Sequence, residues 1–237
     1  MITVATWNVL HRVHAENWGA DVIGRWPVEV ERIAAITARV AERDEHVIAL
    51  QEVSGDQLES LRVTLPGRTI HALRYPRVPV PRHGASPLRD SGEYLVLLVD
   101  GDGQEVTAEP FENDPGNGAL AVRTAGLLVI ATHVSGDRRR TRQMARLAEL
   151  ATGVSGSAAV LLGDFNIDRT AVEAGLGDGF VIADLAPDSL PTRPRTSGPK
   201  SQFIDHVVVH GAEVGDAGVD DAVELSDHNV VHATISI

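Results

Sequence analysis

Residues 158–166 read Ala-Ala-Val-Leu-Leu-Gly-Asp-Phe-Asn, a short apolar run that ends in a glycine, an aspartate and an asparagine. The apolar part, residues 158–162, predicts a buried strand, and Asp168 predicts the start of a short helix. Asp164 and Asn166 therefore lie where a strand ends and a turn begins. Asx residues are common at such positions for local hydrogen bonding alone. This stretch therefore indicates a functional site only in combination with similar strand ends elsewhere in the chain.

Several other predicted strands carry a metal-binding or proton-binding residue at an end. They are residues 2–10 with Asn8, residues 47–53 with Glu52, residues 127–133 with His133, residues 203–210 with Asp205, and residues 229–235, which follow Asp227 and His228. Each residue has an ordinary structural role in isolation, since Asx residues enter turns and most histidines form structural hydrogen bonds. Together they predict a polar rim along one edge of a sheet.

The order of the predicted elements favours an α+β fold over a doubly wound parallel sheet. Apolar spacing predicts helices over residues 27–41, 54–65 and 138–152. Two hairpins are predicted, one joining residues 94–99 to 104–111 and one joining residues 120–124 to 127–133. A long loop is predicted for residues 76–92, which hold four prolines and two glycines.

The composition is that of an ordinary folded chain with an acidic excess. The 237 residues include 33 acidic and 21 basic side chains, for a formal net charge of −12, and 43% are hydrophobic. This charge argues against general affinity for nucleic acids, which a basic surface usually carries. The lack of cysteine excludes disulfide scaffolds, cysteine nucleophiles and thiolate zinc sites.

The hydropathy pattern predicts a soluble, cytoplasmic protein. The longest apolar run, residues 94–99, is far shorter than the roughly 20 residues that span a bilayer. The first residues, Met-Ile-Thr-Val-Ala-Thr-Trp, lack the charged start and the long apolar stretch of a signal peptide.

Three patterns that carry other functions elsewhere are weak in this chain. Residues 116–121 resemble a dinucleotide-binding glycine pattern, but they precede a strand instead of opening a helix. Residues 153–157 end in serine, so the nucleophile elbow of serine hydrolases is missing. Five arginines between residues 138 and 146 open a predicted helix, where a solvated face explains most of them.

The chemistry of the polar rim favours a hard divalent cation. Glu52 and Asn8 offer oxygen ligands, which suit Mg²⁺ or Mn²⁺ and not zinc. A histidine beside carboxylates can be held in one tautomer with a raised pKa. Such a histidine suits proton transfer, or the stabilisation of a charged phosphoryl transition state.

Six sequence blocks together resemble the endonuclease/exonuclease/phosphatase superfamily. In chain order they are Thr6-Trp7-Asn8-Val9, Leu50-Gln51-Glu52-Val53, Ala131-Thr132-His133, Leu162-Gly163-Asp164-Phe165-Asn166, Phe203-Ile204-Asp205-His206 and Ser226-Asp227-His228. Because the blocks follow the family's order from residue 2 to 232, we expect a single domain over residues 1–237. The resemblance implies a four-layer α/β/β/α sandwich of two packed, mostly antiparallel sheets, with the active-site cleft at their loop edges.

The resemblance also implies a metal site and a reaction. Glu52 would bind the catalytic Mg²⁺, for which Mn²⁺ would substitute, with Asn8 nearby and Asp227 contributing directly or through water. The reaction would be hydrolysis of a phosphoester bond by in-line attack of an activated water molecule, without a covalent enzyme intermediate.

The remaining catalytic roles come from the same resemblance. Asp164 would orient and deprotonate the attacking water, and Asn166 would hold a nonbridging phosphate oxygen. His228, held by Asp205, would contact the phosphate and stabilise charge or supply a proton. His133 would assist from the other side of the phosphate.

The sequence departs from family members that cut DNA at abasic sites. Those relatives carry a distinctive tyrosine segment between the glutamate and histidine blocks, whereas Tyr94 here lies inside an apolar strand and receives no catalytic role. Arg142 and Gln143 match a family position on the next helix and are predicted to be structural. The opening residues 6–10 are similar to those of deadenylase-type members, which keeps RNA and nucleotide phosphodiesters among the alternatives.

The sequence is compatible with three functions. The first is hydrolysis of a small or mid-sized phosphoester, such as a phosphodiester, a nucleotide or a lipid head group, because the chain is strongly acidic. The second is a nuclease for DNA or RNA that draws its phosphate contacts from residues 138–146, Arg193, Arg195 and Lys200. The third is a catalytically silent binding module with the same fold. The sequence identifies no protein partner.

Overall fold

The computed structural model describes residues 1–153, 158–194 and 202–237, which form twelve strands and six helices. The strands are β1 (Ile2–Asn8), β2 (Val47–Ser54), β3 (Arg68–Arg74), β4 (Glu93–Asp100), β5 (Gln104–Phe111), β6 (Asp114–Thr124), β7 (Leu127–His133), β8 (Ala159–Asp164), β9 (Phe180–Ile182), β10 (Asp205–His210), β11 (Glu213–Asp220) and β12 (Val230–Ser236). The helices are α1 (Arg12–Trp18), α2 (Val22–Arg25), α3 (Glu29–Ala41), α4 (Gly55–Thr64), α5 (Arg140–Thr152) and α6 (Arg169–Leu176). Within these described ranges, no helix combines the length and apolarity that crossing a bilayer requires.

The strands form two six-stranded sheets of the same design. The first sheet has the order β11-β12-β1-β2-β4-β3, and the second has the order β5-β6-β7-β8-β10-β9. Each sheet has one parallel pair at its centre, β1 with β2 in the first and β7 with β8 in the second, and its other pairs are antiparallel. A parallel pair needs a crossover connection, which α1 to α3 supply in the first sheet and α5 in the second.

Apolar residues on both faces of each sheet produce four layers. In β4, Leu95 and Leu97 enter the core between the two sheets, whereas Val96 and Leu98 enter the core beneath α3 and α4. A separate core joins the second sheet to α5 and α6, with Met144 among its buried residues. The order helices, sheet, sheet, helices confirms the predicted α/β/β/α sandwich.

The predicted hairpin between residues 94–99 and 104–111 is wrong. β4 pairs with β2 and β3, while β5 pairs with β6, so the turn after β4 carries the chain from one sheet to the other. The sequences of β4, an apolar run, and β5, a half-buried strand, predict strands but do not specify a pairing partner. The second predicted hairpin, β6 with β7, is confirmed.

Three strands were not predicted from the sequence, and all three lie at sheet edges. They are β3 and β11 in the first sheet and β9 in the second. Edge strands bury fewer side chains than central strands, and β3 and β11 consist mostly of half-buried or exposed residues. The long loop over residues 76–92 is confirmed, because no helix or strand forms between β3 and β4.

Strand direction brings the sequence blocks to one edge of the sandwich. Asn8 ends β1 beside Gln51 of the parallel strand β2. His133 ends β7 beside Asp164 of the parallel strand β8, and Asp164 also lies opposite Asp205, which begins the antiparallel strand β10. The polar rim predicted from the sequence therefore follows from strand register.

A substitution at Gly163 tests how closely β8 packs against β7 in this register. A Cβ atom added at Gly163 would overlap the carbonyl oxygen of Thr132 in β7. We expect Gly163→Ala to lower the free energy of unfolding by about 1–3 kcal/mol, because β8 must move away from its neighbour. Urea denaturation measures this change.

Gly67→Ala is the matched control, because a Cβ atom there meets no atom within 4 Å. Its free energy of unfolding should stay within about 0.5 kcal/mol of the wild-type value. Equal stability of the two variants would contradict the close packing of β7 on β8.

Candidate active site

The buried carboxylate of Asp164 lies where the two sheets meet. Its Oδ2 accepts a hydrogen bond from the Asn8 side-chain amide at 3.1 Å, and its Oδ1 accepts one from the backbone N–H of Asn166 at 2.8 Å. The Nε2 atoms of His133 and His228 lie 3.6 and 3.8 Å from Asp164 Oδ2. Two histidines thus face one aspartate across the cleft.

His228 and Asp205 form a buried pair beside Asp164. Both carboxylate oxygens of Asp205 lie 3.0 Å from His228 Nδ1. Burial alone would lower the pKa of His228, but the charges of Asp205, Asp164 and Asp227 outweigh it and raise the pKa to about 9. Burial and the charge of Asp205 raise the pKa of Asp164 above its ordinary value.

Glu52 is aimed into the cleft by an irregularity in its strand. The register of β2 against β4 shifts between Leu50 and Val53, and Glu52 has a left-handed backbone with φ of 57°. Its two carboxylate oxygens accept hydrogen bonds from the Asn8 side-chain amide and the backbone N–H of His11, each at 3.0 Å. Burial opposes ionisation, but nearby histidine charges and these hydrogen bonds hold the pKa of Glu52 well below its usual value.

His14 and Glu93 complete the surroundings of Glu52. In the described part of the chain, ligand atoms of His14, Glu52 and Glu93 all lie within 4.8 Å of one another, and so do those of Asp164, Asp205 and His228. His14 Nε2 lies 3.2 Å from Glu93 Oε2, and the His14 ring stacks on Trp18 at 5.1 Å between centroids.

Of the two other residues predicted at the metal, Asn8 presents its amide nitrogen to the cleft, whereas Asp227 keeps one carboxylate oxygen without a hydrogen-bond partner. The amide oxygen of Asn8 accepts a hydrogen bond from the backbone N–H of Leu10 at 3.0 Å, so its NH₂ group faces Glu52 and Asp164. Asp227 Oδ2 accepts hydrogen bonds from Arg193 at 2.6 and 3.0 Å, while its Oδ1 is buried without a partner. Asp227 lies near His228, with 3.9 Å between Oδ1 and Nε2.

Asn166, predicted to hold a nonbridging phosphate oxygen, lies beside His133. Its side-chain amide is 3.3 Å from His133 Nε2 and donates a hydrogen bond to the carbonyl oxygen of Val134 at 3.0 Å. A left-handed backbone with φ of 56° at Asn166 turns this side chain back towards the cleft. The Nδ1 atom of His133 is buried and has no partner.

Several of these side chains line a cleft of about 610 Å³. Its walls include His14, Glu52, Glu93, His133, Asp164 and His228, together with Arg77, Arg139, Arg140 and Arg193. A cleft with both acids and arginines suits an anionic substrate held beside a cation.

The sequence model of the Endonuclease/Exonuclease/phosphatase family matches residues 5–228. The chain belongs to this family. As a member of this family, the chain is a divalent-metal-dependent enzyme that hydrolyses phosphoester bonds. No curated protein sequence matches the chain significantly.

Solved structures of low sequence identity share the family fold with this chain. TDP2 from D. rerio, complexed with a single-strand DNA product, is 12% identical with a TM-score of 0.67, and the match covers 100% of this chain and 99% of that one. A functionally unknown conserved protein from Enterococcus faecalis is 20% identical with a TM-score of 0.68, covering 99% of both chains. The mannosyl-6-phosphatase Bt3783 from Bacteroides thetaiotaomicron is 18% identical with a TM-score of 0.67, covering 100% of both.

Several residues that support the family site were missed in the sequence interpretation. Trp7 Nε1 donates a hydrogen bond to the backbone oxygen of His228 at 2.9 Å. Arg32 is buried and donates hydrogen bonds to the carbonyl oxygens of Val9, Leu10 and Leu225, which lie in the loops beside the site. The sequence indicates that Arg32 lies on the buried face of α3, because it precedes the buried Ile36 by one helical turn.

Gln143 has the structural role that the sequence predicted. Its side-chain oxygen accepts a hydrogen bond from the backbone N–H of Ser135 at 2.8 Å, and its nitrogen donates to Ser135 Oγ at 2.9 Å. These contacts hold the loop that follows His133.

The charge of His228 can be tested in metal-free protein kept in chelator. We expect NMR titration of the His228 ring to give a pKa of about 9 in the wild type. Asp205→Asn should lower this pKa, because the Asp205 charge is the strongest of the effects that raise it. A wild-type pKa at or below 6.5 would contradict the described pair.

The same pair sets a pH dependence of stability. Because the folded-state pKa of His228 lies above the unfolded value of 6.5, its stabilising charge is fully present below pH 6.5 and is lost as the pH rises through about 9. The free energy of unfolding of the wild type relative to His228→Gln should therefore shrink over that range. Urea denaturation at a series of pH values measures the difference.

Proposed function

We propose that the chain hydrolyses a small or mid-sized phosphoester by in-line attack of an activated water molecule. The observation that carries this proposal is the placement of Asp164 between two histidines, one of them paired with Asp205, beside an ionised Glu52. Asp164, Glu52 and the two histidines line one cleft of a size typical of small-molecule sites, which run from about 300 to 1,000 Å³.

In this proposal Asp164 is the general base and the histidines act on the phosphate. Asp164 orients the attacking water and takes its proton, and its raised pKa brings it closer to that task. His228 stays an imidazolium because Asp205 holds it, so it stabilises phosphoryl charge or gives a proton to the leaving oxygen. His133 contacts the phosphate from the other side, and Asn166 holds a nonbridging oxygen. Acid–base assistance of this kind contributes about 10²- to 10⁴-fold in rate.

The residues around Glu52 fit a divalent cation. Glu52 is buried and ionised, so its carboxylate offers oxygen ligands. Asp227, whose buried Oδ1 has no hydrogen-bond partner, would contribute directly or through water. Asn8 fixes Glu52 through its amide nitrogen. We propose Mg²⁺ as the ion, with Mn²⁺ as a substitute. A bound cation polarises a phosphate oxygen and offsets charge on the leaving oxygen.

The charges of the cleft favour a small substrate over a long nucleic acid. Arg193 pairs with Asp227 at 2.6 Å, and Arg77 and Arg139 both pair with Asp114, at 3.3 and 2.8 Å. These carboxylates neutralise arginines that a polynucleotide would otherwise contact. The formal net charge of −12 adds a repulsive field for a polyanion.

A hydrolysis assay tests the proposed function. The protein with Mg²⁺ or Mn²⁺, and with chelator, is offered phosphate mono- and diesters, nucleotides, lipid head groups, and single- and double-stranded DNA and RNA. We expect metal-dependent turnover of a small phosphoester, with kcat lowered at least about 10²-fold in Asp164→Asn and in His228→Gln. Asp178→Asn, an exposed aspartate outside the cleft, is the matched control and should keep wild-type kcat.

Turnover that survives chelation would contradict the metal mechanism. If no substrate is hydrolysed, the third function, a binding module with the same fold, replaces the proposal. Unchanged kcat in Asp164→Asn would remove Asp164 from its role as base.

Salt separates the proposed function from a nuclease. The nuclease alternative is favoured by exposed arginines at the start of α5, such as Arg138 and Arg142, while Arg195 and Lys200 lie outside the described residues. A nuclease that grips 6–10 phosphates should lose about 10³- to 10⁵-fold in affinity between 50 and 200 mM salt. We expect the KM for the best small ester to change far less, and polynucleotide cleavage that outpaces every small ester would overturn the proposal.

A further inference from the structure

His14 and Glu93 lie beside Glu52 but take no part in the reaction proposed above. Glu93 begins β4 and is 1% exposed, and its backbone pairs with Ser54, just after the irregular part of β2. His14 lies on α1 with its Nε2 atom 3.2 Å from Glu93 Oε2. The three side chains bring two carboxylates and one imidazole to a single point, within 4.8 Å of one another.

Two ionised carboxylates buried at such a distance repel one another, and a cation between or beside them offsets that repulsion. In the metal-free protein the nearest candidate in the described residues is His14, through its contact with Glu93. A divalent cation would neutralise both carboxylates more completely than one imidazolium.

Two buried polar groups next to this cluster have no partner. His11 Nδ1 accepts a hydrogen bond from the backbone N–H of Val13, so the neutral ring carries its hydrogen on Nε2, which is buried and unpaired. The buried hydroxyl of Tyr75 is also unpaired. Glu93 and Glu52 are among the charges that act most strongly on both groups. Water molecules in the outer shell of a hydrated cation, which accept hydrogen bonds from the water bound to the ion, would also supply the missing acceptors.

We propose that His14 and Glu93 join Glu52 as ligands of the catalytic cation, so that the site binds Mn²⁺, named above as the substitute ion, more tightly than it binds Mg²⁺. The inference rests on the proposed function in placing that cation at Glu52. An imidazole nitrogen suits a first-row transition metal, whereas Mg²⁺ is bound almost entirely through oxygen. His14 binds as the neutral imidazole, and its proton passes to the solvent.

Direct metal binding tests this inference without any assay of activity. Calorimetry gives the Kd of Mn²⁺ and of Mg²⁺ for the wild type, His14→Gln and Glu93→Gln. We expect His14→Gln to raise the Kd of Mn²⁺ about tenfold or more and to leave the Kd of Mg²⁺ nearly unchanged. Glu93→Gln should raise both values, because a carboxylate serves either ion.

Pulsed EPR of bound Mn²⁺ identifies the ligand itself. The wild type should show a ¹⁴N coupling that His14→Gln loses, and the matched control His46→Gln, an exposed histidine hydrogen-bonded to Thr3, should keep it. Circular dichroism establishes that each variant is folded. If His14→Gln keeps both the ¹⁴N coupling and the preference for Mn²⁺, the inference is overturned.

The outcomes also separate this inference from the proposed function. Hydrolysis that needs Glu52 while His14→Gln keeps the wild-type ratio of Mn²⁺ to Mg²⁺ affinity overturns the inference alone. Binding of Mn²⁺ through His14 in a protein that hydrolyses no phosphoester overturns the proposed function alone.

Discussion

The hydrogen bond from Asn8 to Asp164 is the contact on which the site depends. It joins the end of β1 in one sheet to the end of β8 in the other, and both side chains are about 1% exposed. Because Asn8 also donates to Glu52, one amide fixes the spacing between the proposed metal ligand and the proposed base. The two sheets must therefore pack face to face with these strand ends aligned, which the apolar core between them enforces.

Three residues near this contact have a left-handed backbone conformation, which is unfavourable for residues other than glycine. Leu10, Glu52 and Asn166 all have left-handed φ values, between 56° and 57°. Glu52 lies in the irregular part of β2, and Leu10 and Asn166 each lie two residues beyond the end of a strand. Such residues cost of order 1–3 kcal/mol each and persist where the surrounding structure over-determines them. Arg32 supplies part of that support through the carbonyl oxygens of Val9 and Leu10. These three left-handed residues lie near the buried charges of the cleft, and the apolar layers offset both costs.

The sequence predicted the central strands and the site residues better than it predicted the edge strands and the pairing partners of the strands. Runs such as residues 158–162 carry their own burial signal, and the six blocks place Asp164, His133 and His228 at one sheet edge. The pairing of β4 with β3 and not with β5 was not predictable, because alternation describes a buried face and not its neighbour. His14 and Glu93 were missed since they reach Glu52 through tertiary contacts, and the orientation of the Asn8 amide depends on Leu10 N–H.

A crystal structure with Mn²⁺ and a slowly hydrolysed phosphorothioate ester tests the central claim most directly. We expect anomalous density for Mn²⁺ in contact with the Glu52 carboxylate. We also expect the phosphorus atom between His133 and His228, with a water molecule hydrogen-bonded to Asp164 on the side opposite the leaving oxygen. A cation bound away from Glu52, or a phosphorothioate held outside the space between the two histidines, would contradict the central claim.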